Sequence, residues 1–317
     1  MAPSRLRTKP HDAKITAINA GWARLFSDFE ASMQARGLAL RTVEHYSQVL
    51  NRVLLAYCQR EDLTPADLTK RHLERLAAEL LGAGRSRQTV KTYMTAVNTF
   101  LAWCKAEGEL EANLAAPRPT VDRRVLDVLS RQDVERLEDA ATTERDKLIV
   151  RVLADCGLRL GELRRLTVDD LVSQGRERYL RICGSKSHRD RLVPLTAGLY
   201  MRLDRYARRG RPASSSDRLF LTLSRGRSGD HQPMGESTLE QLVGLLGRKA
   251  GLRQRVHPHL LRHSFATELL RRGVNPIQVR DILGHTSLAM IDRVYSHLTT
   301  SDAHRALIDA LRARDDG

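Results

Sequence analysis

The last third of the chain carries His259-Leu260-Leu261-Arg262, then Leu283-Gly284-His285, then Tyr295. Upstream lie Arg159, within Cys156-Gly157-Leu158-Arg159-Leu160-Gly161-Glu162-Leu163, and Lys186, between two strand-like runs. Arginines, histidines, a lysine and one tyrosine are the parts of a metal-free phosphodiester transesterase. When an oxygen nucleophile attacks a phosphodiester, negative charge concentrates on the non-bridging oxygens, and planar guanidinium groups match those oxygens in pairs. Arg159 and Arg262 are therefore the candidate clamps. His259 precedes Arg262 by three residues, so on a helix the two side chains share a face. It also follows Pro258 at an expected helix start, where the dipole favours an anion and a neutral imidazole. That suits a base or hydrogen-bond partner for a tyrosine hydroxyl. His285, at a glycine turn, is placed to contact the phosphate from the other side. Lys186 is the candidate general acid and Tyr295 the candidate nucleophile.

Other chemistries fit less well. His257, His259 and His263 include the i, i+4 spacing of a metal site, but no acidic residue lies within this cluster and Arg262 would repel a cation. No metal and no cofactor are expected. The cysteines Cys58, Cys104, Cys156 and Cys183 are far apart, form no Cys-x-x-Cys pair, and read as reduced thiols of a cytoplasmic protein. No apolar stretch approaches the roughly 20 residues that span a bilayer, so no membrane partner is expected. With 53 Lys+Arg against 38 Asp+Glu, the formal charge is +15. Such a balance favours a polyanion, because neutralising phosphates releases counterions. The basic excess is shared between residues 1–124 and the remainder, so both halves are expected to face nucleic acid.

These residues need elements to hold them. Residues 1–20 are polar and aperiodic, and are expected to form a flexible tail. Trp22, Leu25, Phe26, Phe29 and Met33 then make one apolar stripe at helical spacing. Val43 to Tyr57 mark a second helix. Thr64-Pro65-Ala66-Asp67 reads as the cap of a third that ends around Gly82–Gly84, and Val90 to Cys104, closed by Gly108, mark a fourth. Residues 21–112 are thus expected to be a four-helix domain. The prolines and basic pair of residues 113–124 read as a linker. Beyond it, Ser130 and Asp133 form a capping-box pattern, residues 144–156 a buried helix stopping at Gly157, and Tyr179–Cys183 with Arg191–Leu195 a hairpin carrying Lys186 near its tip. The Gly/Ser/Arg-rich stretch 208–235 reads as a loop. The fold class expected is mainly α, with a small antiparallel β-sheet in the second domain, residues 125–317.

With these motifs in this order, the chain resembles the tyrosine recombinases, the lambda-integrase-like site-specific recombinases. Their motifs run Gly-Leu-Arg-x-x-Glu-Leu, a hairpin Lys, His-x-Leu-Arg-His, Leu-Gly-His and a following Tyr. Here Tyr295 lies ten residues after His285, and Arg262 is followed by His263. The resemblance implies a SAM-like core-binding domain over 21–112 and a catalytic domain over 125–317. It implies that Arg159, Lys186, His259, Arg262 and His285 assemble around the scissile phosphate. Tyr295 then attacks, leaving a 3′-phosphotyrosine and a free 5′-hydroxyl, without metal or ATP. Glu162 is expected to buttress the arginine loop. The implied partner is double-stranded DNA with an inverted-repeat core site, bound by a homotetramer across two sites, with a monomer or weak oligomer in its absence. A C-terminal helix, Ala303–Arg314, is expected to dock on a neighbouring protomer. Met290 and Ile291 depart from the small hydroxyl residues common in that stretch. The short segment before the helical domain leaves no room for an arm-binding domain, which points to compact Xer-like or mobile-element-associated members. Two alternatives remain at this point, a type IB topoisomerase and a non-catalytic DNA-binding relative.

Overall fold

The computed structural model describes residues 10–110, 113–121, 127–184 and 190–284, with side chains from residue 19 onward. The fold is mainly α with two small antiparallel sheets. The chain forms two compact units, Met1–Arg123 and Arg124–Gly317.

In the first unit, α1 runs from Pro10 to Ala35 and buries Trp22, Leu25, Phe26, Phe29 and Met33, the stripe that the three-to-four spacing dictates. The helix thus begins within the segment expected to be a flexible tail. Its first residue is proline, whose fixed φ and missing N–H suit a helix start, and extending a formed helix is easier than nucleating one. The second helical stretch is continuous but uneven: α2 (Leu40–Val49) passes through a π-helical turn, Leu50–Leu55, into α3 (Ala56–Arg60). Thr64 and Asp67 do form a reciprocal cap, but around a single 3₁₀ turn, Pro65–Asp67. Leu68 then adopts an extended conformation that buries its side chain, and Thr69 caps α4 (Lys70–Gly82) afresh. Ser86 caps α5 (Arg87–Ala106), and Gly108 at φ 73° ends it. Phe100 packs edge-on against Phe26 and Phe29 at ring separations of 5.2 and 5.4 Å. The fully buried Trp22 indole donates to the Leu63 carbonyl at 3.0 Å, which satisfies its one polar atom.

The second unit opens with α6 (Arg131–Asp139), whose N-terminus carries the expected Ser130/Asp133 capping box. The central helix is α7 (Glu144–Cys156). Leu148, Ile149, Val152, Leu153 and Cys156 are fully buried on it, which is why its sequence is apolar on more than one face. Short helix α8 (Leu160–Arg165) follows. Strands β1 (Leu171–Gln174), β2 (Glu177–Ile182) and β3 (Arg191–Pro194) pair antiparallel in that order, with Leu171 opposite Leu180 and Ile182 opposite Arg191. The expected hairpin is therefore extended by a third strand, and a second pair, β4 (Leu221–Arg225) with β5 (His231–Pro233), lies inside the stretch expected to be a loop. Between them runs α9 (Ala197–Arg205). Three helices complete the described part: α10 (Glu236–Lys249), α11 (Pro258–Arg271) and α12 (Pro276–Leu283). None of the described helices is long and apolar enough to cross a membrane.

Gly157 ends α7 in the left-handed region, φ 60°, and a methyl group there would come within 2.5 Å of Phe265 and 2.7 Å of Leu283. Gly273 has a similar φ, 78°, but open space around it. Gly273→Ala should thus cost only the backbone strain of about 1–2 kcal/mol. Gly157→Ala should add the cost of overpacking, about 1–3 kcal/mol. Equal losses in chemical denaturation would contradict the packing described.

Candidate active site

The site is organised by a carboxylate. Gly157 stops α7, Leu158 turns inward, and Arg159 becomes the residue before the first turn of α8. Glu162, on that first turn, reaches back so that Oε2 accepts from the Arg159 backbone N–H at 2.9 Å, while Oε1 accepts from Arg159 Nη1 at 2.9 Å. The same carboxylate meets Arg191, at the start of β3, fork to fork: Nη1 donates to Oε1 at 3.0 Å and Nη2 to Oε2 at 2.8 Å. Arg262 Nη1 stands 4.0 Å from Oε2. A carboxylate has about four lone-pair sites, and here four donors use them.

The guanidiniums reach outward from Glu162 to the ends of two helices. Arg262 donates to the Gly157 carbonyl at the end of α7 and, at 2.7 Å, to that of Leu283 at the end of α12. Arg159 Nη2 donates to Gly284 O at 2.8 Å, and Arg191 Nε to Ile282 O at 2.7 Å. Helix C-termini present unpaired carbonyls and the negative end of the dipole, so cations belong there. Gly284 closes α12 at φ 65°, and a Cβ at this position would stand 2.8 Å from Arg191 Nη1. Only glycine lets the chain turn here with the guanidinium against it.

Among the described residues, three guanidiniums thus face one carboxylate. Burial alone would raise the Glu162 pKa, but hydrogen bonds and charge from Arg191 and Arg159 win and hold it at about 2. Burial, followed by repulsion from Arg159, lowers that of Arg262 to about 9, so it keeps its charge at neutral pH. The side chains differ in exposure: 31% for Arg159 against 10% for Arg191 and 7% for Arg262. Arg159 is the one that faces solvent.

α11 supplies the histidine. His257 caps it, Nδ1 accepting from the Leu260 N–H at 3.2 Å, and Pro258 occupies the first helical position. An accepting nitrogen must be unprotonated. Burial, with repulsion from His259 and Arg255, lowers the His257 pKa and favours that state. His259 is exposed on the first turn, while Arg262, one turn on, is buried. Spacing placed them on one face, and the structure places them at different depths.

Of the sequence-derived candidates, Arg159 and Arg262 are brought together, and His259 stands at the N-terminus of the helix that carries Arg262. Lys186, His285, Tyr295 and the segment Ala303–Arg314 lie outside the described residues. Sequence reasoning missed Arg191. It stands in the polar run Ser185 to Arg191, where another arginine looks like a solvated group. Glu162, the carboxylate expected to buttress the arginine loop, was the signal, since a carboxylate that proves buried needs its charge answered.

Comparison with known proteins gives a consistent picture. The phage integrase family profile matches residues 127–302, and that of the phage integrase N-terminal SAM-like domain matches residues 27–108. A tyrosine recombinase of Pseudothermotoga lettingae is 30% identical over 292 residues, covering 89% of this chain and 95% of the relative. The fold is similar to that of XerH site-specific recombinase bound to palindromic difH substrate in a post-cleavage complex, with TM-score 0.69, 20% identity, and 97% and 90% of the two chains covered. It is also similar to a lambda integrase tetramer bound to a Holliday junction, with TM-score 0.66, 18% identity, and 90% and 83% covered.

The depressed Glu162 pKa has a consequence for stability. Its contribution is fully present above the unfolded carboxylate value, about 4.3, and is lost as pH falls toward the folded value of about 2. Glu162→Gln should therefore be clearly less stable than the native chain in denaturant titrations at pH 7, with the gap narrowing as pH falls below about 4.3. A gap independent of pH would show that the carboxylate charge is not what holds the cluster.

Proposed function

Because the chain belongs to the phage integrase family, we propose that it is a tyrosine-type site-specific DNA recombinase and that the arginines around Glu162 receive the scissile phosphate. The observation that carries this reading is the excess of guanidinium over carboxylate in one cluster of the described residues, with Arg159 its most exposed member. A phosphodiester supplies the missing negative charge, and its charge grows toward the transition state, where fixed donors matter most.

In this reading, Arg159 and Arg262 hold the non-bridging oxygens, with His285 as a further donor. Tyr295 Oη attacks phosphorus, aided by His259 as base or hydrogen-bond partner. The P–O5′ bond breaks, and Lys186 gives the leaving 5′-oxygen its proton. The products are a 3′-phosphotyrosine and a free 5′-hydroxyl. A 5′-hydroxyl from a partner strand then attacks the phosphotyrosine, releasing Tyr295 and joining the exchanged strand. Bond energy is conserved throughout, so the chemistry needs neither ATP nor metal. Residues 21–112 serve as the core-binding domain, 113–124 as a linker and 125–317 as the catalytic domain with its C-terminal docking helix.

The partner is double-stranded DNA with an inverted-repeat core site, engaged by four protomers on two sites, with a monomer or weak oligomer in its absence. The formal charge of +15, the XerH–difH complex and the lambda integrase tetramer on a Holliday junction support this. The recombinase and integrase relatives do not favour the topoisomerase alternative. The reaction belongs in the cytoplasm, where reduced cysteines and DNA coexist.

The test uses a pool of nicked duplexes with randomised inverted-repeat arms, on which cleavage releases a short fragment and traps the adduct. The native chain should form a denaturant-resistant protein–DNA adduct in the presence of chelator. Tyr295→Phe should bind the same duplexes and form none, and Arg262→Ala should slow adduct formation about 100- to 1000-fold. An adduct that persists in Tyr295→Phe contradicts the nucleophile assignment, and no adduct with the native chain contradicts the function.

A further inference from the structure

Arg191 ties the Glu162 carboxylate directly to the end of α12. Its Nη1 and Nη2 grip both oxygens of Glu162 at 3.0 and 2.8 Å, and its Nε holds the Ile282 carbonyl at 2.7 Å. Arg159 shares the same carboxylate, using Nη1 on Oε1 and its backbone N–H on Oε2. It shares the same corner too, through Nη2 on Gly284 O. Arg191 thus fixes, from behind, both objects that orient the Arg159 guanidinium: the carboxylate on one side and the end of α12 on the other. Two of the five N–H groups of Arg159 carry these bonds, and its side chain is the most exposed of the three. The Gly284 turn, pressed against Arg191 Nη1, is the residue immediately before His285.

We propose that Arg191 is a positioning residue for strand cleavage, a largely covered strut that sets the direction of the Arg159 guanidinium and the Ile282–Gly284 corner without touching the phosphate. This rests on the recombinase reading above. Lysine cannot replace it fully. A single ammonium cannot span both carboxylate oxygens and the Ile282 carbonyl with the planar geometry that a guanidinium provides. A small misdirection of Arg159 matters, because a displacement of about 1 Å at a reacting centre costs on the order of 100-fold in rate.

A second consequence separates positioning from mere scaffolding. Glu162 is faced by Arg159 from the start of α8, Arg191 from β3 and Arg262 from α11. Without Arg191, burial acts against two guanidiniums instead of three, so the carboxyl gains a proton at higher pH. A protonated Glu162 accepts fewer bonds and releases Arg159. The acid limb of cleavage should shift upward in pH.

The experiment compares native chain, Arg191→Ala, Arg191→Lys and Arg191→Ala/Glu162→Gln on one nicked duplex captured by the native chain from the randomised pool. Duplex affinity of Arg191→Ala should stay within about twofold while single-turnover adduct formation falls on the order of 100-fold. Arg191→Lys should recover part of that loss. The acid limb of adduct formation should move to higher pH in Arg191→Ala, and that shift should be absent in the double variant, which keeps only the limb set by other groups. Should Arg191→Ala melt below the assay temperature, Arg191→Lys carries the same test, with slower cleavage and a shifted limb expected. Native-like rate and acid limb in either folded variant overturn the proposal, and so does a rate loss matched by an equal loss of affinity. The pH dependence of melting reads the Glu162 shift without DNA, so absence of any native adduct would sink the recombinase reading separately.

Discussion

A buried carboxylate is unstable unless its charge is answered, and Glu162 is answered by more cation than it needs. Its oxygens accept from Arg159 and Arg191 while Arg262 stands at 4.0 Å. The ends of α7 and α12 are arranged around this imbalance. Removing the carboxylate from such a set would leave three guanidiniums facing one another uncompensated, which is strongly destabilising. The cluster is therefore held together from within, and among the described residues it carries a net positive charge. Fixed charge of this kind needs no reorganisation when a phosphate arrives.

The surrounding helices contribute their ends. α7 and α12 each stop at a left-handed glycine, Gly157 and Gly284, and deliver their last carbonyls to the guanidiniums. α11 instead contributes its beginning, where His257 caps and His259 stands exposed. Negative helix ends thus orient the arginines, while α11 presents its positive end at His257–His259. Both glycines are required by φ above 60° or at it, and also by packing, against Phe265 and Leu283 in one case and Arg191 in the other. The turn that ends each helix and the placement of each arginine are one constraint.

Much of this was legible in the sequence, for identifiable reasons. The stripe from Trp22 to Met33, the cap Ser130/Asp133 and the stop at Gly157 are local signals, and the structure realises each. Arg159 and Arg262 were legible as a pair because their motif neighbours are distinctive. Misreadings came where tertiary burial chose among local options. Thr64 and Asp67 close a turn instead of opening α4, because Leu68 is drawn into the core. β1, β4 and β5 are three to five residues long and largely polar, and pairing rather than periodicity defines them. Arg191 was illegible because a strut looks like any surface arginine until its partners, from residues 162 and 282, are brought to it.

In the proposed reaction the arginines around Glu162 act by neutralising the charge of a phosphodiester. The direct measurement is single-turnover cleavage of paired duplexes, one with the natural scissile phosphate and one with an uncharged methylphosphonate at that linkage, by the native chain, Arg159→Ala and Arg262→Ala. If the arginines answer charge, the large loss caused by each substitution on the phosphate should shrink markedly on the neutral linkage. Losses of equal size on both substrates would contradict the account.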